Sequence, residues 1–464
     1  MKKTKKTSYP KKTGKKTLKR KKPKIVKTNY KIKRKLINVN GYNILLLDLP
    51  KAKLVQVECY ILGSCLVEDK PGISHLLEHI LTTAWKKCKP KTCDVFWEKY
   101  GAYSNATTHR FYKRYWIKGL HKYLDTMVEY IFSIMLNPII DNKTLKTERP
   151  AVENELNTYL NDPVSKLYNV ISKELYKIDG LIYSDDLEKQ LKVLKTLTLK
   201  EVQEMYHRMY NKHNMLFVIS GNIGHLEDFD FIKKKKIGKI QKEIEKKGLI
   251  IVKDRYNNCF NNGKKVIFVK DENAKNTTIN IVFHLDIFPG NKDYYYFKII
   301  RDVMTGAIHS LLLKELRERL KLVYSIQMRS YLTLCGTVNY IIVSTLDKNV
   351  DKVLKTIFKI IKKYKKKNVT KEKLLYIKNK YLMRLIRKHP ESNPAMVSNH
   401  YSLQYLFQLN KKRKTILDIN DEIKLYENLT IAKIKKYIKI VFNLDNCIVG
   451  YHGKKKAKFN ISNF

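Results

Sequence analysis

The feature that most narrows the folds open to this chain is an order of elements that occurs twice: strands, then long helices, then a closing strand. LINVNGYNILLLDL (36–49) reads as two strands joined at Asn40-Gly41, a pair that accepts the positive φ values of a tight hairpin turn. LVQVECYIL (Leu54–Leu62) is a third strand, and helical spacing follows over Ile73–Trp85 and Cys93–Tyr100. Tyr112–Leu120 reads as a strand and Lys122–Met135 as a helix stopped before Pro138. A long helical region spans about Asp141 to Leu160, more helix runs to Tyr210, and Met215–Ile223 closes the set as a strand. Irregular residues 224–262 intervene. Strands then return at Val266–Val269 and Thr278–Leu285, followed by a helix near Tyr294–Leu313, a strand, a helix and a last strand at Asn446–Tyr451. The expected fold class is therefore α+β, with two structurally similar halves, each an antiparallel-rich β-sheet packed against long helices. The expected organisation is a disordered Lys-rich tail over 1–35, an α+β domain over 36–223, a linker over 224–262 and a second α+β domain over 263–464.

The length of 464 residues suits two domains of roughly 100–200 residues each. No apolar run approaches the ~18 residues of a membrane span. The N-terminal segment lacks the apolar stretch of a secretory signal, and it is Lys-rich where a mitochondrial targeting segment would be Arg- and Ser-rich. Seven cysteines without a CxxC pair read as free thiols in a reducing, intracellular compartment. The cytoplasm is the expected location, with the nucleus or a virion as further destinations for so basic a chain. Net charge is +51, and residues 1–34 hold 17 Lys/Arg with no acid, leaving the rest strongly basic too. Such a field favours acidic partners, and residues 1–35 are the expected contact for nucleic acid. An AT-rich coding sequence, which raises Lys, Ile, Asn and Tyr together, accounts for the surplus of the globular part equally well.

The chemistry centres on GISHLLEHI (Gly72–Ile80). His75 and His79 are four residues apart, so on a helix both imidazoles reach one metal ion, while Glu78 sits beside His79 without being a ligand. Zinc lowers the pKa of its water to about 7, and a neighbouring carboxylate can then take the proton as water attacks a peptide carbonyl. The bland alternative is a helix with two partly buried, hydrogen-bonded histidines. Downstream, ERPAVENEL carries Glu148-Arg149 and then Glu155, which lies 76 residues after His79. Gly63-Ser64, Glu68 and Gly72 precede the motif, GAYSNATT (Gly101–Thr108) follows it, and LLKELRERLKLVYSIQ (Leu312–Gln327) lies in the second half.

H-x-x-E-H is the inverted-zincin signature, and with these surroundings the chain resembles the metallopeptidase family of pitrilysin, insulysin and mitochondrial processing peptidase. The resemblance spans roughly residues 36–464. It implies one zinc ion per chain held by His75, His79 and Glu155, with Glu78 as the base and Glu148 as a supporting carboxylate. It makes Asn105 and Ala106 part of an edge strand that pairs with extended substrate. It also implies that Arg317 and Tyr324 close over the substrate and steady the oxyanion; read alone, their segment is an amphipathic helix entering a strand. In this family the metal half faces the second half of a partner across a closed chamber, so one chain of this length that carries both motifs implies a homodimer with two composite sites.

The chain departs from the family pattern at Thr82, Ala84 and Trp85 after the motif, at Lys113 where Thr is usual, and at Lys321 before the Tyr. Pro150 falls inside the Glu-bearing helix, where it is expected to kink or start that helix. None of these removes a ligand or the base. The expected function is a zinc-dependent endopeptidase that hydrolyses extended peptides or protein segments in a closed chamber. Its basic body is expected to favour acidic or neutral peptides, and its composition suits a viral member that processes virion proteins. Two other readings stand beside it: a catalytically inactive structural or partner subunit of the same fold, and a basic nucleic-acid- or virion-associated protein governed by its tail.

Overall fold

The computed structural model describes residues 29–83, 85–88, 93–223, 258–285, 292–333, 335–409 and 415–464. Most of the Lys-rich tail, Ala84 and all but the end of the expected linker lie outside these residues. Two sheets dominate. The first contains β1 (Lys33–Val39), β2 (Tyr42–Asp48), β3 (Leu54–Leu62), β4 (Tyr103–Thr108), β5 (Tyr112–Leu120) and β6 (Met215–Gly221), in the order β1-β2-β6-β3-β5-β4. The second contains β7 (Lys264–Lys270), β8 (Thr277–Leu285), β9 (Val323–Thr333), β10 (Gly336–Thr345) and β11 (Cys447–Gly453), in the order β7-β11-β8-β10-β9. The path is the same in both. Parallel β2 and β6 match parallel β7 and β11, and three antiparallel pairings then lead out to the edge strands β4 and β9. The two halves are thus similar in design, with β1 added to the first through the Asn40-Gly41 turn, where φ is 51° and 87°.

Helices cover these sheets. The first half supplies α1 (Ile73–Thr83), α2 (Cys93–Glu98), α3 (Leu124–Leu136), α4 (Asn142–Leu160), α5 (Pro163–Leu175), α6 (Asp179–Tyr183), α7 (Leu187–Thr196) and α8 (Leu199–Met209). The second supplies α9 (Lys292–Thr305), α10 (Val350–Lys366), α11 (Lys371–Lys388), α12 (Pro394–Leu409), α13 (Ile419–Glu427) and α14 (Ile431–Val441). Each half also lends a helix to the other's sheet. Helix α5 lies on β7, β8 and β11, and it comes so close that a Cβ on Gly450 would stand 2.7 Å from Ile171. Helix α12 lies on β2, β3 and β6.

The second exchange is pinned by a buried ion pair. Glu58 of β3 is wholly buried; its Oε1 accepts from Arg114 of β5 at 2.7 Å and its Oε2 from Ser398 of α12 at 2.8 Å. A charge so placed is tolerated because both oxygens are satisfied.

Three expectations are corrected. Pro150 does not start its helix: α4 begins at an Asp141–Thr144 capping box, takes Pro150 into its interior and runs on to Leu160. The free-thiol reading fails for four cysteines, since Cys88 is bridged to Cys93 and Cys259 to Cys335, with Cα separations of 5.3 and 5.8 Å. Only the fold brings the second pair together across 76 residues, so local spacing could not reveal it. The segment after β8 is not one helix to Leu313: α9 stops at Thr305, and a π-helical turn covers Leu313–Arg319. Among the described residues no helix is long and apolar enough to cross a membrane.

Removing the Glu58 carboxylate would leave the half-buried Arg114 guanidinium without its counter-charge. Glu58→Ala is expected to cost about 3–5 kcal/mol, and Ser398→Ala, which loses one bond to that carboxylate, about 1–3 kcal/mol. Urea unfolding midpoints of the two variants check this ordering.

Candidate metal centre

Helix α1 starts where Gly72 takes φ +87°, a conformation that side chains resist, and a Cβ there would stand 3.3 Å from the Cβ of Gln190. Glu68 closes the first turn, accepting from Gly72 N at 2.9 Å and Ser74 N at 3.1 Å. Its charge also complements the helix N-terminus. Ile73, Leu76, Leu77, Ile80 and Leu81 bury one face of α1, and His75, Glu78 and His79 line a cavity on the other. Helix α4 packs against α1 along Leu145, Glu148, Val152 and Leu156, so a carboxylate occupies a position that the helical period assigns to an apolar residue.

This packing brings three ligand-type side chains together. Glu155 Oε2 lies 3.5 Å from His75 Nε2 and 3.4 Å from His79 Nε2, and the three ligand atoms all fall within 4.8 Å of one another. A tetrahedral ion with bonds of about 2.0–2.2 Å spaces its ligand atoms roughly 3.3 Å apart. The set therefore fits zinc with little movement, and it is the one such cluster among the described residues. Glu148 is 3% exposed, with Oε2 3.7 Å from His79 Nδ1 and Oε1 without a hydrogen-bond partner. A carboxylate behind Nδ1 fixes the ring and its tautomer so that Nε2 faces the ligand cluster.

Charge around the site is arranged for a cation. Burial alone would lower the His79 imidazole, but Glu148, Glu155 and Glu78 override it and push it up to about 9. Glu155 is held well below the usual carboxylate range, first by His75 and then by His79. Burial raises Glu78, against the Thr108 hydroxyl and the two imidazoles, which leaves it a better proton acceptor than an exposed carboxylate.

The cavity measures about 990 Å³ and lies between the halves: Ser104–Thr108 of β4 form one wall, and Tyr294, Ser330, Tyr331 and Leu403 come from the second half. Asn105 and Ala106 both line it; Asn105 Oδ1 accepts from Ala106 N at 2.7 Å and its Nδ2 donates to Tyr103 Oη at 2.9 Å. β4 is the edge of its sheet, bonded on one side only, to β5. Arg317 and Tyr324 do not join this group. Arg317 lies on the π-helical turn with its side chain 56% exposed, Tyr324 on β9 is 84% exposed, and neither lines the cavity.

Two contributors have no role in the sequence reading, and a third, Lys113, enters it only as a departure from the family pattern. Tyr159, one turn beyond Glu155, sets its hydroxyl beside that carboxylate, a position that i,i+4 spacing could have flagged. Thr108 lies against Glu78. Lys113 belongs to β5 rather than to the GAYSNATT strand, and it is wholly buried, with Nζ 3.1 Å from Ser74 Oγ and 4.7 Å from the Tyr210 ring centroid. The expected preference for acidic or neutral peptides meets a lining rich in carboxylates. Glu68, Glu78, Glu155 and Asp185 line the cavity; among the described residues Arg110 is the one Lys/Arg that does, and it is paired with Asp185.

Two family models match the chain: "Insulinase (Peptidase family M16)" over residues 44–184 and "Peptidase M16 inactive domain" over 196–381. An uncharacterised zinc protease, YmxG of Bacillus subtilis, is 22% identical over 292 residues, 62% of this chain and 67% of that protein. The mitochondrial-processing peptidase subunit beta of Caenorhabditis elegans is 22% identical over 158 residues, 34% of each chain. Among solved structures, a protease from Helicobacter pylori superposes with a TM-score of 0.76 at 16% identity, covering 91% of this chain and 99% of that one.

Lys113 offers a stability test with a definite sign. Burial pushes its ammonium down to about 8, against the opposing pull of Glu68, Cys65 and Glu78. Between that value and its unfolded pKa of about 10.4 the unfolded chain binds the extra proton, so stability gains from this group as pH rises. From pH 7 to pH 10 wild type should gain on the order of 3 kcal/mol relative to Lys113→Met. Urea unfolding of both proteins at the two pH values checks it; a constant difference between them would count against the account.

Proposed function

Because the chain belongs to the M16, or insulinase, peptidase family, we propose that it is an active zinc-dependent endopeptidase that works as a homodimer with two composite sites. The observation that carries the reading is the convergence of His75, His79 and Glu155 beside Glu78, under an edge strand that lines the same cavity. His75, His79 and Glu155 would hold one zinc ion per chain, and zinc bound there supplies Lewis-acid activation of water and of the scissile carbonyl. Glu78 takes the proton of the attacking water and returns it to the leaving amine. Glu148 keeps the His79 ring in place.

The substrate is an extended peptide. The free edge of β4 runs along Asn105 and Ala106, and a peptide that adds to it as a further strand would take over the Ala106 N–H now bonded to Asn105 Oδ1. The cavity wall contributed by Tyr294, Tyr331 and Leu403 suits apolar side chains. The exposed positions of Arg317 and Tyr324 suit a role across a subunit boundary. There Arg317 of the partner subunit and the partner's Tyr324 would donate to the oxyanion.

Metal content and peptide cleavage test the reading together. Purified wild type should carry about one zinc per chain and His79→Ala almost none. Glu78→Gln should keep its zinc yet lose about 10²–10⁴ of the cleavage rate on a fluorogenic peptide library. A wild-type chain that holds zinc but cuts nothing in the library would favour the inactive-subunit reading.

Composite sites make a separate prediction. His79→Ala and Tyr324→Phe, each impaired alone, should regain roughly a quarter of wild-type activity when their subunits are exchanged, since half the dimers then carry one intact site. No recovery in demonstrably mixed dimers would place the site within a single chain.

A further inference from the structure

The charge of the chain is unevenly divided. Residues 36–223 hold 25 Lys/Arg against 21 Asp/Glu, whereas 263–464 hold 41 against 16. An AT-rich coding sequence would raise Lys in both halves alike, so composition alone does not account for the difference. Within the second half, a large part of the surplus lies on one face. Helix α10 buries Val353, Leu354, Ile357, Phe358, Ile360 and Ile361 and exposes Lys352, Lys355, Lys359, Lys362, Lys363 and Lys366. Steps of three and four residues keep these lysines on one side, and the row from Lys352 to Lys366 is about 21 Å long. Asp351 is the one acid of the helix, and it accepts from Lys458 N at 3.2 Å. Glu315 lies close enough to Lys363 to feel its charge, but its carboxylate is bonded to Arg319.

Neighbouring elements extend the row. Helix α14 packs against α10, has no acid in IAKIKKYIKIV, and exposes Lys436 and Lys439. Burial lowers the Lys365 ammonium and the like charge of Lys439 lowers it further, against Asp445, so the two helices bring their cations close together. At the other end of α10, exposed Lys454, Lys455, Lys456 and Lys458 stand beside Asp351. Helices of the first half differ. In α4, Lys143, Lys146 and Arg149 are matched by Glu148, Glu153 and Glu155, and α8 carries two charges of each sign.

We infer that the face formed by α10 and α14 binds the phosphate backbone of double-stranded nucleic acid without reading its sequence. Two rows of lysines on helices about 8–10 Å apart offer point charges to phosphates. Lysine lacks the planar fork that reads guanine. Stacking on single-stranded bases needs exposed aromatic rings, and here Phe358 and Tyr437 are buried and Tyr364 is half-buried. An interfacial membrane helix needs an apolar face to insert, and that of α10 is already spent on the core. The surface is separate from the metal centre, since none of its lysines lines the cavity.

Fluorescence anisotropy of a mixed-sequence 20-base-pair DNA duplex, titrated with the full-length chain from 50 to 300 mM KCl, tests the inference. K355Q/K359Q/K362Q/K366Q should weaken binding at least tenfold at 100 mM salt and reduce the log–log salt slope by about 3 to 4, at roughly 0.9 for each phosphate no longer neutralised. K143Q/K146Q/K192Q/K195Q in the first half makes the same change in net charge and should leave the slope unaltered. Equal losses in both variants would mean that the field of the whole protein is responsible, and no loss in either would assign binding to the N-terminal lysines; both results overturn the proposal. So would tighter binding to vesicles of 30% phosphatidylserine than to the duplex, with the α10 variant losing the vesicles instead. Unchanged zinc content in the α10 variant confirms that the chain remains folded.

Discussion

A carboxylate buried in an apolar helix seam is costly unless positive charge stands beside it, and the α1–α4 seam is built around one. Glu148 takes a place in the stripe Leu145–Val152–Leu156 that a leucine would fill more cheaply. Its counterpart is His79, whose imidazole is pushed up by this carboxylate and by Glu155. The seam therefore couples packing to charge: where α1 and α4 dock, the Glu148 carboxylate lies against the His79 imidazole. A divalent cation supplies the positive charge at any physiological pH, whereas a proton supplies it only while the imidazole holds it. The same contact that completes the core of the first half thus brings His75, His79 and Glu155 within ligand distance of one another.

Exchange of helices between the halves then gives the site its walls. Were α5 and α12 packed on the sheets of their own halves, the boundary would be two closed surfaces. With α12 on β2, β3 and β6 and α5 on β7, β8 and β11, the halves are interlocked, and the space left between them is bounded by β4 on one side and by Tyr294, Ser330 and Tyr331 on the other. Glu58 is the anchor of this arrangement, because its two oxygens join β5 to a helix 340 residues away. Its hydrogen bonds satisfy a charge and fix a domain relation at once.

The parts of the molecule legible in the sequence are those written in short-range periodicity. His75, Glu78 and His79 declare a shared helix face, and the Asn40-Gly41 turn declares its hairpin. Glu155 was reached only through the resemblance, because no local rule ties it to a histidine 76 positions earlier; the docking of α4 on α1 does so. The Cys259–Cys335 bridge and the Glu58–Ser398 bond were out of reach for the same reason. Pro150 misled by a different route. Its residue preference is real, but a helix already capped at Asp141 and buried along one face outweighs the loss of one hydrogen bond. Lys113 was noticed as an oddity, yet its burial beneath Glu68 and Glu78 depends on β5 lying behind α1, which only the sheet order shows.

The uneven charge ties these threads together. A cation site needs a local excess of negative charge, and each lysine placed within a Debye length of about 8–10 Å would oppose the metal. The first half meets this need with near balance overall and with four carboxylates around the cavity against one paired arginine. The second half carries no such site among the described residues, so its surface is free to become strongly basic at no cost to metal binding. Two halves of one design have in this way diverged in electrostatics while keeping a common sheet. The repeat supplies the scaffold twice, and the distribution of lysine separates the half that gathers the three ligand-type side chains from the half that carries the basic surplus.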